Sequence, residues 1–197
     1  TAGFDIVSYT GTGSAHTEAH SLSAAPRMII TKNRDYDTNW GVYHASQTAD
    51  KYAYLSATNA FADNSVFWND TEPTSSVFSV GTYESVNRSG DEMIAYCFAD
   101  VQGYSKFGSY VGNGSSSGPM IWLGFRPAFV MLKNTTDAAT NWQMNDSARD
   151  TFNIVNKRLA PSASDAEATT YDFGDFLSNG FKIRQTDQTW NKSGSTY

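Results

Sequence analysis

The chain has 197 residues, a net charge of −6 and no run of Lys or Arg, which argues against the clustered positive surface that nucleic-acid binding needs. No apolar stretch approaches the roughly 20 residues of a membrane-spanning helix. Aromatic residues reach 14% while charged residues stay at 17%, and with abundant Gly, Ser, Thr and Asn this is the profile of an all-β protein rich in turns.

Strand signals follow one another at short intervals. "FDIVSYT" from Phe4 alternates large and small side chains up to "GTGS", which reads as a hairpin turn. "RMIITKN" follows Pro26, which can start a strand but not continue one. "NWGVYHA", "SSVFSVG" and "DEMIAYCFAD" come next, with "NRSG" as a turn before the last. Beyond the short junction "VQGYSK" the scheme returns as "KFGSYVG", "MIWLGF", "AFVMLKN", "NWQMND" and "GFKIRQT". The best helix candidate is "DSARDTFNIVNKRL", Asp146 to Leu159, which Pro161 would stop. The lone cysteine, Cys97, sits in an apolar run and reads as a buried, inert thiol.

The second half echoes the first. Tyr9–Ser14 lines up with Tyr110–Ser115, and at the same offset Pro26, Lys32 and Asn33 meet Pro127, Lys133 and Asn134. Further on Trp40 meets Trp142, Phe78 meets Phe181, and "NRSG" from Asn87 meets "NKSG" from Asn191. The offset creeps in one direction, as small loop insertions would make it, so an internal duplication is expected. The expected architecture is all-β: two tandem antiparallel, jelly-roll-like β-sandwich modules, residues 1–102 and 103–197. Copy one closes with "MIAYCFAD", a strand apolar on both faces and therefore central. In copy two Tyr197 aligns with Met93, so that module is expected to lack its last strand and to expose an edge.

These phrases resemble a repeated domain family. "Y-x-G-x-G-S", "P-x-x-x-x-x-K-N", "N-W", "S-V-F-S-V-G", "N-x-S-G" and above all "AYCFADVQGYSKFGSYVGNGS" are similar to β-sandwich repeats of tail fibres and other virion structural proteins of marine tailed bacteriophages. The resemblance runs over nearly the whole chain. It departs at the end, where the "Y-x-A-F-A" closure of the family is absent. It implies a virion location outside the cell and a role in assembly or surface binding. The implied partners are other virion proteins, copies of the same chain in a homo-oligomer and a host surface glycan, without nucleic acid, membrane insertion or cofactor.

Candidate chemistry is sparse. In "HTEAH", His16, Glu18 and His20 would share one face of a strand, where two imidazoles and a carboxylate suit Zn²⁺; copy two has no such ligands. The acidic pairs Asp35/Asp37, Asp70/Glu72, Asp91/Glu92 and Asp172/Asp175 read as turn residues, with a glycosidic cleft as the rival. No nucleophile elbow or phosphate loop is present, so the expectation is a non-enzymatic protein. The recurrence of Trp40 and Trp142 favours core packing. Trp68 and Trp190 do not coincide in the alignment and stand beside polar groups. Trp68, Asn69, Asp70, Trp190 and Asn191 are therefore the candidate ligand-binding residues, for a glycan or for a protein contact. The alternatives to a virion structural segment are a lectin-like module and a polysaccharide hydrolase.

Overall fold

The computed structural model describes residues 3–197 as an all-β protein with antiparallel pairing throughout its named strands. The chain divides into two compact units. Unit 1 holds the residues up to Leu55 together with Phe61–Gly108, and unit 2 holds Ser56–Ala60 with Ser109–Tyr197.

In unit 1 the strands are β1 (Phe4–Thr10), β2 (His16–Ala19), β3 (Met28–Asn33), β4 (Gly41–His44), β5 (Lys51–Tyr54), β6 (Ala62–Asp63), β7 (Val77–Val80) and β8 (Glu92–Phe98). Two helices of four residues interrupt them, α1 (Ser65–Trp68) and α2 (Glu84–Asn87). Six strands form one sheet in the order β1-β8-β3-β4-β5-β6, while β2 pairs with β7. The last long strand thus enters between the first and the third. Its sequence explains why: Met93, Ala95 and Cys97 are buried on one face, and Ile94, Tyr96 and Phe98 are half-buried on the other. Such a strand has no face to give to water, so the centre of a sheet is where it fits. One core cluster joins the two sheets and α1 through Tyr9, Ile29, Tyr43, Phe67, Trp68 and Phe78.

Unit 2 contains β9 (Met120–Trp122), β10 (Phe129–Leu132), β11 (Gln143–Asp146), β12 (Gly174–Leu177) and β13 (Gly180–Ile183). They form a sheet in the order β12-β13-β9 and a separate β10–β11 ladder. The core gathers Val130, Val155, Phe173, Phe176, Phe181, Ile183 and Trp190. Among the described residues no helix is long and apolar enough to cross a membrane.

Several expectations are corrected. Asp146–Leu159 is not a helix; β11 ends at Asp146 and the chain turns. Side chains there capture the backbone that a helix would need, since the Asp150 carboxylate accepts the N–H groups of Asn156 and Lys157 at 2.9 and 2.6 Å. Residues 103–108 go with unit 1 rather than with the second module. Phe107 packs on Phe98 (6.0 Å between centroids) and on His44 (6.4 Å), and its N–H donates to Asp100 Oδ1. "KFGSYVG" forms no strand beyond the single bridge between Val111 and Thr196. Trp142 is buried at 4% exposure, but Trp40 is only half-buried and stacks on Tyr96.

Candidate functional site

The residues singled out for ligand binding do not form a surface. Trp68 is 2% and Trp190 1% exposed, each among the largest side chains of its own core, so neither presents a face to a glycan or a partner. Asn191 is fully buried. Asn69 and Asp70 are exposed, but they form the left-handed turn that ends α1, with φ of 53° and 45°. The sequence missed this because Trp beside Asn and Asp looks alike in a turn and in a core-anchored helix end.

The "HTEAH" trio is not assembled either. His16 and Glu18 do share a face of β2, with Nε2 and Oε1 2.7 Å apart. His20 lies beyond the strand, its Nε2 against Thr74 O at 3.1 Å and its Nδ1 accepting Leu22 N–H. No group of three His, Cys, Asp or Glu suited to a metal occurs among the described residues. One member of each acidic pair is tied to structure. Asp35 accepts Glu92 N–H at 2.7 Å, and Glu72 accepts Ala49 N–H at 2.8 Å and the Tyr43 hydroxyl at 2.5 Å. Asp91 accepts Asn33 Nδ2 at 2.8 Å, and buried Asp175 is paired with Arg184 at 2.5 Å. Burial pushes the Cys97 thiol up to about 12, so it stays protonated near neutral pH.

What the fold does build, in each unit, is a loop latched by a buried asparagine. Asn87 closes α2 at zero exposure; its Oδ1 accepts Thr12 N–H at 2.7 Å, and its Nδ2 donates to Ser14 O at 2.7 Å and Gly81 O at 2.6 Å. Asn191 makes the corresponding set, accepting Asn113 N–H at 2.8 Å and donating to Ser115 O and Gln185 O at 2.7 Å each. The backbone agrees: Gly13 N–H bonds Asn87 O, and Gly114 N–H bonds Asn191 O. A tyrosine hydroxyl completes each latch, Tyr9 to Val86 O at 2.6 Å and Tyr110 to Trp190 O at 2.7 Å. The two glycines of each loop have separate reasons. A Cβ on Gly11 would lie 2.0 Å from Arg88 O, and one on Gly112 2.3 Å from Lys192 O. Gly13 and Gly114 instead carry φ of +71° and +68°, which favours glycine. "GTGS" and "GNGS" are therefore not hairpin turns but loops held against "NRSG" and "NKSG". The signal was visible, since the same asparagine recurs in both halves, but a turn and a buried amide look alike in one sequence.

A second buried amide sits next to each latch. Asn33 accepts the N–H groups of Asp35 and Tyr36 and donates to Glu84 O and Asp91. Asn134 accepts those of Thr136 and Asp137 and donates to Gln188 O and Asp137. Before it in sequence, Lys133 is 4% exposed, with Nζ donating to Thr140 O, Thr140 Oγ1 and Thr58 O. Burial without a carboxylate holds its pKa down to about 8.

The whole chain, residues 1–197, matches one family, described as Domain of unknown function (DUF7483). The chain belongs to that family. No curated protein and no solved structure matches it. In this member of DUF7483 the aromatic surface lies away from the predicted site. Trp122 is 67% exposed on the edge strand β9, beside Met120 on the same face at 41%. Opposite Trp122 stands Gly180, where a Cβ would lie 2.0 Å from Ile121 O and 3.1 Å from Met120 Cε.

Proposed function

We propose that the chain is a non-enzymatic structural protein of a phage virion, a tail-fibre or capsid-decorating segment built from two copies of one β-sandwich module. In this reading it is exposed outside the cell and works by presenting rigid surfaces for assembly or host attachment. The observation that carries the reading is the repeated asparagine latch. Each unit commits fully buried polar side chains to fixing a surface loop, which is the economy of a scaffold that must hold its shape at an interface. The motif "AYCFADVQGYSKFGSYVGNGS" supports the virion assignment by resemblance. Against a hydrolase stand the carboxylates themselves, since Asp35, Glu72, Asp91 and Asp175 are each engaged by backbone, amide or cationic donors. The test is labelling of purified virions with antibodies raised against the chain, viewed by electron microscopy. Labelling at fibres or capsid supports the reading, and virions free of the chain refute it.

A second reading, attachment through a host glycan, is favoured by Trp122. An exposed indole on an edge strand offers the flat apolar face on which a sugar ring stacks. Its test is binding of the chain to host surface polysaccharide, lost in Trp122→Ala.

A further inference from the structure

The net charge is unevenly divided between the units. Unit 1 carries six Lys and Arg against twelve Asp and Glu, which accounts for the whole −6, while unit 2 carries eight of each. An anionic polymer is therefore repelled by unit 1 and tolerated by unit 2. Two of the exposed cations of unit 2, Arg184 and Lys192, are paired with Asp175 and Asp137. Arg126 is exposed as well, and among the described residues no carboxylate pairs with it.

Arg126 is held at one end of the sheet β12-β13-β9. The register puts Leu177, Gly180 and Trp122 in one row across that end. The row faces away from the core, because the neighbouring row of Phe176, Phe181 and Ile121 packs into it. Beyond Trp122 the chain turns across the end of the sheet, with the N–H groups of Leu123 and Gly124 both donating to Asn179 O at 2.9 and 3.0 Å. It arrives at the far strand, where Arg126 Nη1 donates to Phe176 O at 3.1 Å. Asn153 fixes the same residue: its Nδ2 donates to that oxygen at 3.1 Å and its Oδ1 accepts Phe176 N–H at 2.9 Å. The guanidinium is thus anchored by one nitrogen to a backbone that is itself clamped. Two strand spacings separate the backbones at Trp122 and Phe176 by roughly 10 Å.

We propose that this end of unit 2 binds an acidic polysaccharide, with a sugar ring stacked on Trp122 and the carboxylate of a uronic acid residue paired with Arg126. The proposal rests on the glycan reading of Trp122 and adds the class of ligand. An indole accepts the apolar face of any pyranose, so it does not select for charge. The guanidinium does: its remaining N–H groups form a planar fork that matches a carboxylate, and a neutral sugar leaves that fork to water. The separation of roughly 10 Å exceeds one sugar ring, so the two contacts fall on different residues of one polymer. A polymer is thereby favoured over a free monosaccharide, which reaches one contact at a time.

The experiment measures binding of the full chain to polygalacturonate and to polymannuronate, each beside its carboxyl-reduced, neutral form, by titration calorimetry. At least one acidic polymer should bind about tenfold or more tightly than its neutral form. Arg126→Gln, a change at an exposed position, should bring that polymer down to the neutral level, and about 1 M NaCl should do the same to the unaltered chain. Trp122→Ala should weaken both forms. Amide exchange in Gly174–Ile183 checks that both variants keep the sheet. Equal affinity for the acidic and neutral forms, both lost in Trp122→Ala, overturns the proposal and leaves the glycan reading standing. Acidic binding that survives Arg126→Gln overturns it too. So does the absence of binding to either acidic polymer, whereas the glycan reading falls only if host surface polysaccharide also fails to bind.

Discussion

The two units solve one electrostatic problem from opposite sides. In unit 1 the amide of Asn33 donates to Asp91, and Arg88 both bridges Asp91 at 3.0 Å and lies 3.8 Å above the Tyr36 ring. In unit 2 the place of Asp91 is taken by Ser195, since Gly11 bonds Asp91 O and Gly112 bonds Ser195 O. The place of Tyr36 is taken by Asp137, because Tyr36 N–H bonds Asn33 Oδ1 and Asp137 N–H bonds Asn134 Oδ1. The carboxylate has crossed the contact. Asp137 now accepts from Asn134, Lys192 and Ser195, and the Lys192 ammonium above all holds its pKa down to about 2. What the fold requires is an anion beside the buried amide, whichever strand end supplies it. The cores differ in the same manner. Unit 1 places Val86 where unit 2 places Trp190, and draws its own large indole, Trp68, from α1.

The comparison breaks most visibly at the indoles. Trp68→Ala and Trp190→Ala should each cost about 3–5 kcal/mol, the usual penalty for emptying a buried aromatic site, with exchange rising in the strands of the mutated unit. A loss below about 1 kcal/mol for Trp190→Ala would show that the two cores are not alike in kind.

Asn87→Ala and Asn191→Ala should cost on the order of 3 kcal/mol each, because each leaves several buried donors and acceptors unmade. Denaturant titrations of the two variants measure this. A cost in only one of them would mean that the latch is ornamental in the other unit.

Acid should separate the units. All three histidines lie in unit 1, and burial, with Arg27 nearby, lowers His44 to about 4 while its Nδ1 accepts Ser46 N–H at 3.2 Å. Between the unfolded value near 6.5 and about 4, only the unfolded chain takes up this proton, so stability is present above that window and falls as pH drops through it. Unit 1 should lose on the order of 2–3 kcal/mol between pH 7 and 4.5, as measured by unit-resolved hydrogen exchange. His44→Gln should flatten that slope. A profile unchanged by His44→Gln would remove His44 as its source.

The smallest effect sharpens the opening comparison. Asp137→Ser should cost below about 1 kcal/mol, since the Lys192 side of the contact is half exposed. Ser195→Asp in that background should restore the loss by placing the carboxylate where unit 1 keeps it. Failure of the rescue in thermal melts would show that the two arrangements are not interchangeable.

Much of this was written in local pattern. Alternation gave β1 its full extent, and the apolar run at Met93–Phe98 announced a strand with no face for water, which the six-stranded order bears out. The ordered matches from Tyr9 and Tyr110 onward pointed to the residues that make corresponding contacts in the two units. The ligand-binding candidates fared differently. Whether Trp68 or Trp122 faces water depends on what the remainder of the chain folds over it, and no window of sequence holds that information. The same holds for Asn87 and Asn191, which look like turn residues until the loops near Thr12 and Asn113 arrive some 75 residues away in sequence. Sequence alone indicated strands such as β1, β3 and β8 and the echo between the halves, because side-chain alternation is a property of neighbours along the chain. Tertiary structure alone decided which indoles are buried and which amides lock a loop, because burial and hydrogen bonding are satisfied by partners distant in the chain.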